Sequence, residues 1–341
     1  MKARIERFVA RRLLALVEHA RAADAGQLRD LAQRVSLLEL NVKGLGYELA
    51  RKLAAALPVA SGTEPAFVGL KSKATTQADL ESDWARHWTA ELKIPLIFHR
   101  KIWELAFVLQ AMWEQGHIRP GTRGIGFGCG VEPIPSYLAA RGVATTVTDL
   151  PHAEAAAAGW VSTNQHASGR EQAFHGHLVD RAAFDRLVDF QVVDMNAIPT
   201  SLTGYDFCWS VCALEHLGSI EKGLAFIEAS LATLRPGGTA VHTMELNIAG
   251  EGATLDNHPT VLFQRRHIEE VAARLRANGH DVAELDFDFG ARPLDRFIDV
   301  APWTHELPTD LGGWLGPPLH LKIGFHGFIT TCFALVVTRS G

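Results

Sequence analysis

The chain has 341 residues, 47% of them hydrophobic and 21% charged, proportions that suit a globular protein with a sizeable core and room for one large domain plus an appendage. The net charge of −5 gives no reason to expect nucleic acid as a partner. Four cysteines (Cys129, Cys208, Cys212 and Cys332) form no CxxC pair and no zinc-like spacing, so no metal is expected, and a reducing, cytoplasmic setting fits them.

Charge is uneven along the chain. Residues 1–60 carry 11 Lys and Arg against 6 Asp and Glu, which leaves the remainder near −10. Within that first stretch Leu28, Leu31, Val35, Leu38, Val42, Leu45 and Leu49 alternate spacings of three and four. This is the a/d rhythm of a coiled coil, so residues 1–57 are expected to form an N-terminal coiled-coil helix that joins copies into a homo-oligomer. The plainer alternative is an amphipathic helix packed on its own globular domain. Arg4, Arg7, Arg11 and Arg12 also offer a peripheral contact to an anionic membrane face, against the ordinary reading of a solvated basic surface. No apolar run approaches the roughly 20 residues of a membrane span.

Pro58 and the stretch Ser61-Gly62-Thr63-Glu64-Pro65 mark a linker over residues 58–75. From residue 76 a single domain is expected to run to residue 341. It opens with helices carrying Trp84, Trp88, Leu92, Ile102, Leu105 and Trp113, which cover one side of a core. After Pro120 short apolar strands alternate with helices, the pattern of a parallel α/β sheet. Strands are predicted near 122–128, 144–148, 188–193, 205–210 and 239–244, with helices starting near 131, 152, 180 and 221. Two later strands near 282–289 and 330–338 complete a Rossmann-like α/β fold: a seven-stranded, mostly parallel sheet with helices on both faces and an antiparallel last strand.

The first of these strands ends in Gly126-Phe127-Gly128-Cys129-Gly130. Glycines at a strand-to-helix turn permit positive φ and let backbone N–H groups approach a ligand. The run is GxGxG and neither frame supplies GxGxxG, which disfavours a dinucleotide site. Asp149 closes the second strand about 20 residues on, where a carboxylate can accept from both hydroxyls of a ribose. Asp194 and Met195 close the third, suited to an adenine amino group and ring. Leu214-Glu215-His216 follows the fourth, and Leu234-Arg235-Pro236-Gly237-Gly238 precedes the fifth.

This ordered set, over roughly residues 120–245, resembles the class I S-adenosylmethionine (SAM)-dependent methyltransferases. The resemblance implies SAM as cofactor. Gly126, Gly128 and Gly130 would meet its methionine moiety, Asp149 the ribose, Asp194 with Met195 the adenine, and Ser210 would lie beside the sulfonium; Phe127, Glu132 and Leu150 complete the cofactor set. The chain departs from the family in one place. An acidic residue usually stands two positions before the first glycine, where this sequence has Gly124, and Glu132 is expected to compensate in part. His99-Arg100-Lys101-Ile102-Trp103-Glu104, Gly159-Trp160 with Gln165-His166, His242 to Asn247, and His320-Leu321-Lys322 further resemble methyltransferases of bacterial glycan and polysaccharide biosynthesis. That association implies a sugar or other small-molecule hydroxyl acceptor.

A hydroxyl acceptor calls for a base, and histidine is the natural one near neutral pH. His216, just past the fourth strand, and His242 and Glu245, near the end of the fifth, lie at the carboxyl edge where open α/β sheets hold ligands. They are the candidate catalytic residues. His166, His258, His320 and His326 are expected to be surface or scaffold histidines. Three alternatives stay open: SAM with a nitrogen, carbon or protein acceptor; a non-catalytic coiled-coil scaffold with a vestigial SAM fold; and, disfavoured by the glycine spacing, an NAD-linked oxidoreductase.

Overall fold

The computed structural model of the chain describes residues 2–58, 65–152 and 166–341, with side chains from residue 24 onward. It divides into two compact units, Met1–Glu48 and Leu49–Gly341. The first belongs to helix α1 (Lys2–Ala56), which is rich in Ala, Leu, Arg and Glu, all good helix formers, and meets no proline before Pro58. Its heptad leucines and valines are on the surface. The arginine side chains before residue 24, linker residues 61–64, and residues 159, 160 and 165 lie outside what is described, as does most of the helix expected from 152. Among the described residues no helix is long and apolar enough to cross a membrane.

In the second unit the described elements run β1 (Ser72–Ala74), α2 (Gln77–Leu80), α3 (Asp83–Glu91), α4 (Arg100–Glu114), β2 (Arg123–Phe127), α5 (Ile134–Ala139), β3 (Ala144–Asp149), α6 (Arg181–Leu187), β4 (Val188–Val192), β5 (Tyr205–Val211), α7 (Ile220–Ser230), β6 (Leu234–Asn247), α8 (Arg265–Ala277), β7 (Asp281–Val282), β8 (Leu285–Asp286), β9 (Ile298–Asp299), α9 (Thr309–Leu315), β10 (Lys322–Phe325) and β11 (Phe328–Thr338). Five strands form a parallel core in the order β4-β3-β2-β5-β6. The chain moves outward from β2 to β4, then returns to the other side of β2 to lay down β5 and β6. That reversal opens a crevice between β2 and β5 at the carboxyl ends of the strands, the place where a doubly wound sheet binds its ligand.

The sheet has 11 strands, a correction to the seven expected. The last strand does run antiparallel, β11 pairing with β6 from Thr330↔Asn247 to Thr338↔Thr239. Its other edge carries short strands. β1, which falls within the predicted linker, pairs with β11, as do β7 and β10, and the strand expected near 282–289 is split into β7 and β8. The β10–β11 hairpin turns on His326 and Gly327, at φ 48 and 81; two successive positive φ values are what a two-residue primed turn needs to match strand twist. Helices cover both faces, as β6 shows. His242 bonds Ser230 of α7, whereas Glu245, three residues on and on the opposite face, pairs with Arg100 of α4.

Two glycines of β2 are dictated by packing. Gly124 lies opposite Phe207 and Gly126 opposite Trp209 on β5. A Cβ on Gly124 would sit 2.3 Å from two atoms of the Phe207 ring, and one on Gly126 would sit 2.1 Å from Cys129 Sγ and 2.4 Å from the Trp209 ring. His117, Phe207 and Trp209 stack in a row, with centroids 5.5 and 5.9 Å apart. Glycine on β2 is the space these rings occupy. This is the physical reason for the departure at position 124, where an acidic side chain has nowhere to go.

Candidate active site

A cavity of about 490 Å³ opens at the carboxyl ends of β2, β3, β4 and β5, a volume within the range of small-molecule sites. Its lining includes Gly128, Gly130, Glu132, Asp149, Leu150 and Met195 together with His99, Lys101, Leu105, Cys212, Ala213 and His216. Gly128 and Gly130 have φ of 58 and 52, a left-handed conformation that favours glycine at both. A Cβ on Gly128 would come 2.9 Å from that of Ala213 and 3.6 Å from Met195 Sδ, all three residues being cavity lining. Glycine at 128 thus makes room for the Ala213 methyl packed against the turn.

Asp149 is anchored as well as presented. Its carboxylate accepts from the N–H groups of Leu150 and Ala167, both at 2.9 Å. Burial raises its pKa, against the pull of the Ala167, Leu150 and Gly130 N–H groups. An ionised carboxylate has about four lone-pair sites, so this one can still accept a hydrogen bond from a ligand with its backbone donors in place. Asp149→Ala should weaken SAM binding about a hundredfold or less, and should also cost roughly 1–3 kcal/mol of stability, because two backbone donors lose their acceptor. Calorimetry and thermal unfolding check the pair; unchanged affinity would remove Asp149 from the cofactor contacts that the sequence resemblance implies.

Glu132 enters the cavity from the start of the α5 segment and accepts from Trp209 Nε1 at 3.1 Å. Burial pushes its carboxyl up to about 8, so at neutral pH it is mostly protonated and poised to ionise beside an incoming cation. His216 also lines the cavity, from a 3₁₀ turn (Leu214–His216). Its Nδ1 is 2.9 Å from the Pro259 carbonyl, which places the proton on Nδ1 and makes Nε2 the acceptor nitrogen. Burial lowers its pKa to about 4, leaving it neutral at pH 7. The bend that delivers this turn is Cys212, at φ 47. Its N–H is held by Thr243 Oγ1 at 3.0 Å.

Six of the expected residues are outside the cavity lining. Gly126 is committed to the Trp209 ring, and Phe127 points to the other face, edge-on to Phe226 at 5.3 Å. Asp194 caps its own turn by accepting from Asn196 N–H at 2.8 Å, while its neighbours Val193 and Met195 line the cavity. Ser210, expected beside the sulfonium, is fully buried and bonds His242 Nδ1 at 2.8 Å. His242 is also fully buried. Its Nε2 lies 2.9 Å from Ser230 Oγ, whose own proton goes to the Ile227 carbonyl, so Nε2 donates and Nδ1 accepts from Ser210. Burial lowers its pKa to about 3. This satisfied core histidine has no route to an acceptor.

Glu245 belongs to a buried polar cluster beside the cavity. It is held by the Arg100 guanidinium and the Thr330 hydroxyl. In the same cluster Glu104 takes Lys101 at 2.7 Å and the Cys212 thiol at 2.6 Å, and Cys332 Sγ is 3.5 Å from Cys212 Sγ. Burial works against the charge of Lys101, but Glu104 outweighs it and keeps the ammonium protonated. Among the described residues, Glu104 with Cys212 and Cys332, and Cys212 with Glu215 and Glu245, bring potential metal ligands within 4.8 Å of one another. Each group already contains a carboxylate paired with a cationic side chain. Nearby, Asp256 accepts from the Ile220 and Asn257 N–H groups, and His258 turns to Thr260.

His99 and Lys101 are cavity residues that the sequence analysis did not nominate. His99 caps α4, its Nδ1 accepting from Lys101 N–H at 3.1 Å, which sets both at the rim. The signal was a polar His-Arg-Lys run directly ahead of an apolar helix.

No protein-family model and no curated protein matches the chain. Among solved structures it is similar to phosphoethanolamine N-methyltransferase 2 of Haemonchus contortus in complex with phosphomonomethylethanolamine and S-adenosylhomocysteine, at 14% identity over 68% of this chain and 52% of that one, with a TM-score of 0.40. This chain therefore spans about half the length of that enzyme. It is also similar to magnesium protoporphyrin IX methyltransferase from Synechocystis PCC 6803 with bound SAH (13% identity, 68% and 80% coverage, TM-score 0.40). A third is the [4+2]-cyclase SpnF (16% identity, 70% and 82% coverage, TM-score 0.40).

Proposed function

We propose that the chain is a SAM-dependent methyltransferase that methylates a hydroxyl, on a sugar or glycan. The observation that carries this reading is a cavity lined together by a glycine turn, a strand-end aspartate, a protonated glutamate, a neutral histidine and an ion-paired lysine. Gly128, Gly130, Glu132, Asp149, Leu150 and Met195 would hold the cofactor. SAM supplies an activated methyl group on a positively charged sulfur.

The protein's share is alignment, exclusion of water and removal of one proton. Leu105, Met195, Val211 and Leu217 keep the cavity wall largely apolar. His99, Lys101 and His216 offer the hydrogen-bonding groups on the acceptor side that a polyol needs to be oriented. As an oxygen–carbon bond forms, the hydroxyl proton becomes strongly acidic, so an imidazole with a pKa of about 4 is basic enough to take it at Nε2. His216 is the candidate base; Ser210, His242, Glu245 and Asp194 support the fold around it.

The test is calorimetric titration with SAM and with NAD, followed by transfer of labelled methyl groups to panels of sugars and of amines. SAM binding alone, with label in base-stable ethers of sugars, is expected. His216→Gln should then lower kcat about 10²–10⁴-fold and leave SAM affinity within a few-fold. Absence of SAM binding would bring the scaffold reading forward, and label in amines would change the acceptor.

A further inference from the structure

We infer that α1 pairs with α1 of a second copy of this chain as a parallel, two-stranded, in-register coiled coil. The inference is independent of the methyltransferase reading. Its first observation is exposure: Leu28, Leu31, Val35, Leu38, Val42 and Leu45 are 67%, 56%, 44%, 63%, 56% and 74% exposed, and Leu49 follows at 38%. A continuous apolar seam of this length on a helix is an interaction surface.

The residue types on the seam select the partner. With Leu28, Val35, Val42 and Leu49 at a, the d positions are Leu31, Leu38 and Leu45. The two central a residues, Val35 and Val42, are β-branched, and β-branched residues at a with leucine at d favour two parallel strands. Charge then sets the register. Arg34 occupies a g position and Glu39 the following e position, the pair that meets across a parallel dimer, so each interface carries two opposite-charge contacts related by its two-fold axis.

Sedimentation equilibrium on the full chain should give twice its 37.2 kDa mass, and the result should not depend on SAM. Leu31→Lys/Leu38→Lys should be monomeric at concentrations where the native chain is dimeric, with unchanged helical signal and SAM affinity. Arg34→Glu should weaken association about tenfold by turning attraction into repulsion at both contacts, and Arg34→Glu/Glu39→Arg should restore it. A trimer or tetramer, a charge reversal that the second substitution does not rescue, or a monomer that instead sediments with phosphatidylserine vesicles would each overturn the inference.

Discussion

The affinity for SAM is expected to rise with pH between about 6 and about 7.5, by up to roughly tenfold per unit. Burial holds the Glu132 carboxyl near 8; Glu104 and Asp149 push the same way, while Lys101 and the Trp209 N–H pull it down. In the free protein it is therefore mostly protonated over this range. SAM brings a sulfonium and an ammonium, and either favours the ionised carboxyl. Binding then expels a proton: the carboxyl pKa is lower in the complex than in the free protein, so the complex gains on the free protein as pH rises between those two values. Above about 8 nothing more is gained, and the cofactor's own amino group begins to lose its charge there.

Titrations in buffers of different ionisation enthalpy measure the proton directly. Up to one proton released per site is expected for the native chain and close to none for Glu132→Gln, which should also bind SAM about tenfold more weakly or worse, with a flat pH profile. S-adenosylhomocysteine separates the two cations. If Glu132→Gln weakens it as much as SAM, the carboxyl serves the ammonium; if SAM alone suffers, it serves the sulfonium. Unchanged proton release in Glu132→Gln would take the residue out of the cofactor site.

Gly124→Ala should be among the most destabilising single-methyl additions in the chain, costing about 3 kcal/mol or more. The new Cβ would stand 2.3 Å from Cε2 and Cζ of Phe207, and that ring cannot swing away because it is fully buried between His117 and Trp209. Gly124→Asp, which would recreate the acidic position common in the resembling family, should be worse, since it drives a charge into the same stack. Phe207→Leu in the Gly124→Ala background should recover part of the loss, with a coupling of about 0.5–3 kcal/mol. Thermal unfolding followed by circular dichroism reads all of these. A Gly124→Ala protein within about 0.5 kcal/mol of the native chain would show that the stack yields.

Much of the parallel core was legible. The five strands of the inner sheet lie within a few residues of where apolar runs placed them, because each is a short apolar segment bounded by turn residues. The exception is β6, which starts at Leu234, through the Pro-Gly-Gly that reads as a turn. The small strands β1, β7, β8, β9 and β10 are two to four residues long, too short to carry a period. The β10–β11 turn was hidden for a local reason: His326 takes the left-handed position that asparagine or aspartate would have announced.

The sequence by itself determined the order of strands and helices, the glycine turn, the carboxylates at strand ends and the heptad seam, since each is encoded by near neighbours along the chain. Which of those residues face the cavity was decided only by the tertiary structure. β5 is buried at every position and β6 from Gly238 onward, so no alternation of polar and apolar residues marks the faces of the two strands. His242 and Glu245 look alike in sequence, yet one is sealed against α7 and the other neutralised by α4. Glycine at 126 likewise reads as ligand-facing until Trp209 is seen across the strand. A side chain's chemistry is written locally; what it touches is set by neighbours a hundred residues away.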